Sequence, residues 1–215
     1  MTENRDTFFA RLQRLPCSAV FSEDEIARIE LTYDLAKYAH RGQVRKSGER
    51  YFEHPRRATL TLLDELDIIE ARTLMDALLH DTYEDSAKYL TPSKIRIVCG
   101  PDVERDIRFL SKVPKDGSFE RLLRYAEWQP ILVKGCDRLD NLRSLAETSD
   151  DFKRRQLRET EEHYFPLFRR LAEQDAPARY RASCEKLYDL LVSAYDVAAD
   201  TVNLPLVPRL RGGLP

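Results

Sequence analysis

In the stretch ALLHDTYEDSA, residues 77–87, four side chains able to bind a metal or move a proton follow directly on an apolar run: His80, Asp81, Glu84 and Asp85. On a helix, residues four apart share a face, so His80 aligns with Glu84 and Asp81 with Asp85. The neighbours His80 and Asp81 lie about 100° apart around the axis, which lets an imidazole and a carboxylate grip one ion from adjacent directions. Glu84 and Asp85 then stand one turn further on, beside the ion. A solvated helix end has the same composition, so partners elsewhere in the chain must decide.

Two partners stand out. In CDRLDNLRSL, Asp137 and Asn141 share a face near the middle of an otherwise apolar helix. An unpaired carboxylate buried there costs several kcal/mol, so it demands either a cation or a neighbouring base such as Arg138. His54 ends the glycine-punctuated loop RGQVRKSGERYFEHP, and the following Pro55 suits a first helical turn. Two imidazoles and two carboxylates, from His54, His80, Asp81 and Asp137, form a mixed nitrogen and oxygen set that suits one Mn2+ and, less selectively, Fe2+, Zn2+ or Mg2+. Such an ion acidifies water and polarises a phosphoryl oxygen, the requirements for hydrolysing a phosphate ester. Arg41, Arg45, Lys46, Lys134, Arg138 and Arg143 supply positive charge for a polyphosphate, although the last three lie on one helix and cannot all face one pocket. His40 and His163 read as structural.

The elements that must position these groups are helical. Seven glycines and eleven prolines in 215 residues, with no period-two alternation, argue for an all-α chain. Ser22 and Glu25 have capping-box spacing at the head of a helix that runs to His40. Further helices are expected over Pro55 to Leu66 and from Ile69 into Asp81, the latter with Ala71, Leu74 and Leu78 on its apolar face. Thr91-Pro92 and Gly100-Pro101 open two short helices, KVPKDGS is a loop, and Pro130 starts the helix that carries Asp137. Two longer helical segments follow from Asp150, the first bent or broken at Pro166. The tail PLVPRLRGGLP is expected to be a mobile end.

Composition narrows the function. With 42% hydrophobic residues the chain supports one sizeable domain, and its formal charge of -2 lacks the basic excess of a non-specific nucleic-acid or membrane-surface binder. Cys17, Cys99, Cys136 and Cys184 form no close pair and read as buried thiols of a reducing compartment. The N-terminal stretch has no apolar centre of a signal peptide and no run reaches membrane-spanning length, so a cytoplasmic location is expected.

AHRGQVRKSGERYFEHP, ALLHDTYEDSA and VKGCDRLDNLRSL, in that order over roughly residues 30 to 170, resemble the HD-domain phosphohydrolases, and more narrowly the hydrolase domain of the Rel/Spo alarmone enzymes. An HD dipeptide alone means little; the three blocks together are specific. The resemblance implies an all-α HD helical bundle with His54, His80, Asp81 and Asp137 as ligands of Mn2+. It further implies Glu84 and Asp85 as a catalytic acidic pair, Arg45, Lys46 and Ser47 as a nucleotide-contacting loop, and Asn141 as a residue lining the site. The implied reaction removes the 3′-pyrophosphate of guanosine tetra- or pentaphosphate, (p)ppGpp, to give GDP or GTP and pyrophosphate. Other nucleotides, such as (p)ppApp or NADPH, and a non-catalytic alarmone-binding module are the alternatives. Arg50 stands where the family commonly has proline, Asp140 where it commonly has histidine, and SKVPKDG replaces a glycine-valine-threonine-lysine stretch.

The expected division is an N-terminal extension over 1–20, an HD hydrolase domain over 21–172, a C-terminal helical segment over 173–205 packed on the same domain, and a flexible tail over 206–215. With no room for a synthesising domain, the chain reads as a stand-alone small alarmone hydrolase. Its expected partner is the nucleotide, with no nucleic acid polymer and no membrane; oligomeric state stays open.

Overall fold

The computed structural model describes residues 4–14, 21–45, 48–86, 88–112 and 117–204. Among them α-helices dominate and no strand occurs; the only extended pairing is a single antiparallel bridge between Val44 and Arg50. The tail from Pro205, together with Cys17, Lys46 and Ser47, lies outside the described residues, as does the side chain of Asp85. Cys99, Cys136 and Cys184 are buried free thiols, as their spacing implied. No helix among the described residues is long and apolar enough to cross a membrane.

The chain opens with α1 (Arg5–Gln13), an element that the sequence reading passed over as an extension. Its signal is local: Asn4 accepts the Thr7 N–H at 3.0 Å and Thr7 returns the contact at 2.9 Å, closing both ends of a capping box. Phe8, Phe9 and Leu12 are buried, with Phe8 and Phe9 ring centroids 5.0 and 5.4 Å from Tyr33 of α2 (Glu23–Ala39). The Ser22–Glu25 capping box heads α2 as expected.

The loop after α2 turns at Gly42 and Gly48, whose φ values of +75° and +83° favour glycine. It enters α3 (Glu53–Leu60), which continues into a π-helical turn over Thr61–Glu65. Next come α4 (Ala71–Leu79) and the single turn α5 (Thr82–Asp85). Here the structure corrects the sequence: the helix does not run unbroken through His80 and Asp81. His80 caps α4 and Asp81 caps α5, so the four-residue alignments expected across this stretch do not hold.

Short helices α6 (Pro92–Cys99), α7 (Pro101–Leu110) and α8 (Ser118–Tyr125) lead to α9 (Trp128–Arg143). Residues 129–140 of α9 are buried without interruption, because α3, α4, α7 and α12 pack around it. A helix covered on all sides must be apolar or have its polar groups paired, and α9 combines the two, with Gln129 Oε1 and Arg138 Nε left without a hydrogen bond among the described residues. The tightest approach is at Gly135, where a Cβ would stand 2.6 Å from Leu187 Cδ2. The chain closes with α10 (Asp150–Glu159), a π-helical turn (Thr160–Tyr164), α11 (Phe165–Arg170) and α12 (Arg181–Asp200). Pro166 sits in the first turn of α11, directly after the π-helical turn, and the chain keeps helical angles through Tyr164 into α11, so the segment is not broken there.

Candidate active site

Three separate elements converge on one point. His54 lies in the first turn of α3, His80 and Asp81 at the break between α4 and α5, and Asp137 in the buried middle of α9. His80 and Asp81 both keep right-handed helical backbone angles at this junction, and their side chains reach the same place, 3.2 Å apart. Ligand atoms of His54, His80 and Asp137 all lie within 4.8 Å of one another. His54 Nε2 is 3.2 Å from His80 Nε2, 3.1 Å from Asp137 Oδ1 and 3.5 Å from Asp81 Oδ2, while His80 Nε2 is 3.2 Å from that Asp81 oxygen.

The partners on the far side of each ring fix which nitrogen faces inward. His80 Nδ1 donates to the Ala77 carbonyl at 2.8 Å, and His54 Nδ1 donates to Asp140 Oδ2 at 2.6 Å. Both Nε2 atoms are thereby left as inward-facing donors. The carboxylates are held as well: the Tyr51 hydroxyl donates to Asp81 at 2.9 Å, Lys134 to Asp137 Oδ2 at 2.7 Å and Asn141 to Asp137 Oδ1 at 2.6 Å. His40 braces Tyr51, the two rings stacking 4.7 Å apart.

Burial and charge oppose each other here. Burial penalises the charged form of His54, yet hydrogen bonds to Asp137 and Asp140 and the charges of Asp81 and Asp137 prevail, lifting its pKa to about 9. Burial likewise pushes Asp81 and Asp137 up, but the imidazoles, with Lys134 beside Asp137, prevail and hold both below the ordinary carboxylate range. Two carboxylates kept ionised against burial, beside two inward-facing Nε2 atoms of which that of His54 would give up its proton on binding, are the donor set of a divalent cation, and the residues fit one.

This cluster floors a cleft of about 1060 Å³ whose walls include Arg45, Glu84, Lys112, Ser144, Phe152 and Arg155. Glu84 accepts the Lys112 N–H at 2.6 Å, and burial raises its pKa. Arg45 donates to Asp140 at 2.9 Å and to Asn141 at 2.6 Å. The other expected cations that the structure describes are committed to partners within the chain. Lys134 is spent on Asp137, and Arg138 lies 3.9 Å over the Tyr164 ring instead of pairing with Asp137. Arg143 binds Glu65 at 2.7 and 2.8 Å, and Arg41 stacks on Tyr38 and Tyr89 at 3.6 and 3.9 Å. His163 packs on Phe119, with 5.4 Å between ring centroids.

Sequence reasoning missed Tyr51, Lys134 and Asp140 in these roles. A signal existed for two of them: positions 134, 137 and 140 recur every three residues, which places them along one side of α9.

A profile of the HD domain matches residues 32–173, which span every one of these groups. The chain belongs to the HD-domain family. This HD protein is 37% identical over 159 residues to the bifunctional (p)ppGpp synthase/hydrolase SpoT of Escherichia coli K12, a match covering 69% of this chain and 22% of SpoT. It is 32% identical over 190 residues to the GTP pyrophosphokinase rsh of Brucella melitensis, covering 77% of this chain and 25% of that protein. The HD chain therefore spans about a quarter of the length of these relatives. A solved structure described as a metazoan ortholog of SpoT that hydrolyzes ppGpp superimposes with a TM-score of 0.56 at 23% identity, over 76% of this chain and 94% of that one. That likeness shows a shared fold.

Proposed function

We propose that this HD domain is a Mn2+-dependent hydrolase that removes the 3′-pyrophosphate of (p)ppGpp. One observation carries the reading: His54, His80, Asp81 and Asp137 converge from separate elements at the floor of a cleft large enough for a nucleotide. The names of the relatives, a (p)ppGpp hydrolase among them, point to the substrate.

In this reading His54, His80, Asp81 and Asp137 hold one ion per chain. Bound there, the cation supplies Lewis acidity for both the water and the phosphoryl oxygen. Glu84, its affinity for protons raised by burial, takes the proton of the attacking water, with Asp85 as its partner in that task. The water oxygen bonds to the 3′-linked phosphorus as the bond from the 3′-oxygen to that phosphorus breaks; the 3′-oxygen takes up the proton that Glu84 gives back, leaving a 3′-hydroxyl on the nucleotide, and the water oxygen departs in pyrophosphate. Arg45 at the cleft wall meets the developing phosphate charge, with Lys46 and Ser47 completing that loop, while Asn141 holds both Arg45 and Asp137 in place.

The test is a panel of ppGpp, pppGpp, ppApp and NADPH incubated with the purified chain and Mn2+, read by product identity. Release of pyrophosphate with GDP or GTP is expected. Release from ppApp alone, or phosphate from NADPH alone, reassigns the substrate; binding of ppGpp with no product from any of them makes the chain a binding module.

A further inference from the structure

Asp140 is where the metal centre and the nucleotide loop meet. It is 7% exposed, and its two oxygens bind three side chains, two from α3 and one from the preceding loop. Oδ2 accepts from His54 Nδ1 at 2.6 Å, from Arg45 at 2.9 Å and from Arg57 at 3.2 Å, and Oδ1 accepts from Arg57 Nε at 2.6 Å. Arg57 also reaches Glu49 at 2.5 Å, and the Arg45 N–H donates to the Glu49 carbonyl at 2.8 Å. The loop carrying Arg45 is thus tied to α3 and α9 through one carboxylate. Among the described residues no other carboxylate touches the outer nitrogen of His54.

We infer that Asp140 is a positioning residue: it fixes the His54 tautomer that turns Nε2 toward the metal, and anchors Arg45 at the cleft through the same oxygen. The carboxylate strengthens the imidazole as a donor by accepting its Nδ1–H. Because Arg45 and His54 share Oδ2, the hold on the ion and the placement of the phosphate-facing cation are linked. A histidine at this position, the residue that the resembling family commonly carries, supplies no negative charge for three donors. The inference rests on the metal-centre reading above and goes beyond it.

The test compares the intact chain with Asp140→Asn. Mn2+ affinity is read from the electron paramagnetic resonance of the free ion, and folding from thermal melting without metal. The variant is expected to bind Mn2+ about 10- to 100-fold more weakly. At saturating Mn2+ its kcat is expected to recover only in part and its KM for ppGpp to stay severalfold raised, since Arg45 has lost one of its two side-chain anchors. Equal Mn2+ affinity in a folded variant, within twofold of the intact chain, overturns the inference and leaves the metal centre standing. Failure of the intact chain to bind Mn2+ overturns both. Should the variant not fold, long-range proton–nitrogen spectra of the intact Zn2+-loaded chain decide. A protonated His54 Nδ1 with a strongly downfield proton supports the inference, and metal on Nδ1 overturns it.

Discussion

Two buried acidic clusters lie one turn apart along α4 and its junction with α5, and they have opposite fates. At that junction Asp81 meets Asp137 of α9 in the company of His54, His80 and Lys134, and both carboxylates are held ionised. One turn earlier on α4, Asp76 is fully buried and faces Asp106 of α7. No described N–H or hydroxyl donor reaches either Asp76 oxygen, which favours the protonated, neutral form of this carboxyl. Burial, then the Asp106 charge, push the Asp76 pKa well above the ordinary range, while Arg72 bonds Asp106 at 2.7 Å and only partly offsets this. Burial of two acids is therefore not what makes a cation site. Nitrogen donors with their outer protons already committed, and carboxylates kept charged, make the difference.

The sharpest way to break this contrast is to remove a donor from the first cluster. Asp81→Ala is expected to lose bound ion and pyrophosphate release together, as read by elemental analysis of the dialysed protein and by product assay. Turnover that survives in the ion-free variant contradicts the role given to Asp81. Glu84→Gln separates chemistry from binding: turnover is expected to fall about 10²- to 10⁴-fold with ion content unchanged. Loss of the ion in that variant moves Glu84 into the coordination sphere.

Chelation tests the same cluster through stability. An ion present at about 100 times its Kd stabilises the fold by about 2.7 kcal/mol, so stripping it is expected to lower Tm by roughly 5–10 °C. The second cluster gives the smallest effect, with the opposite dependence on substitution. A folded-state pKa above the unfolded value means that the contribution of Asp76 is full at acid pH and is lost as pH rises through the raised value. Asp76→Asn, neutral at every pH, is expected to match the parent near pH 4 and to exceed it by a few degrees in Tm toward neutrality. A variant less stable than the parent at neutral pH shows that Asp76 is ionised and paired.

Much of this was legible before the fold was known. The all-α class, the Ser22 cap, the positive φ at Gly42 and Gly48, and the grouping of His54, His80, Asp81 and Asp137 all follow from motifs whose physics is local or whose blocks occur together. What escaped depends on tertiary geometry. Periodicity carried α4 through His80 because Leu74, Leu78 and the polar pair fit one helix, whereas the backbone ends α4 at Leu79 with no glycine or proline to mark the place. Asp76 looked like any helical aspartate, and only the packing of α7 on α4 sets another acid against it. Arg138 is the base expected beside Asp137, and the rotation of α9 presents Lys134 instead.

The central claim is that the ion held by these four side chains is the one hydrolysis requires. The direct measurement is a titration of metal-stripped protein with Mn2+, recording bound ion and pyrophosphate release from ppGpp in the same sample. Both are predicted to saturate together at one ion per chain; full turnover before any ion binds, or saturation at one ion with no pyrophosphate released, would contradict the account.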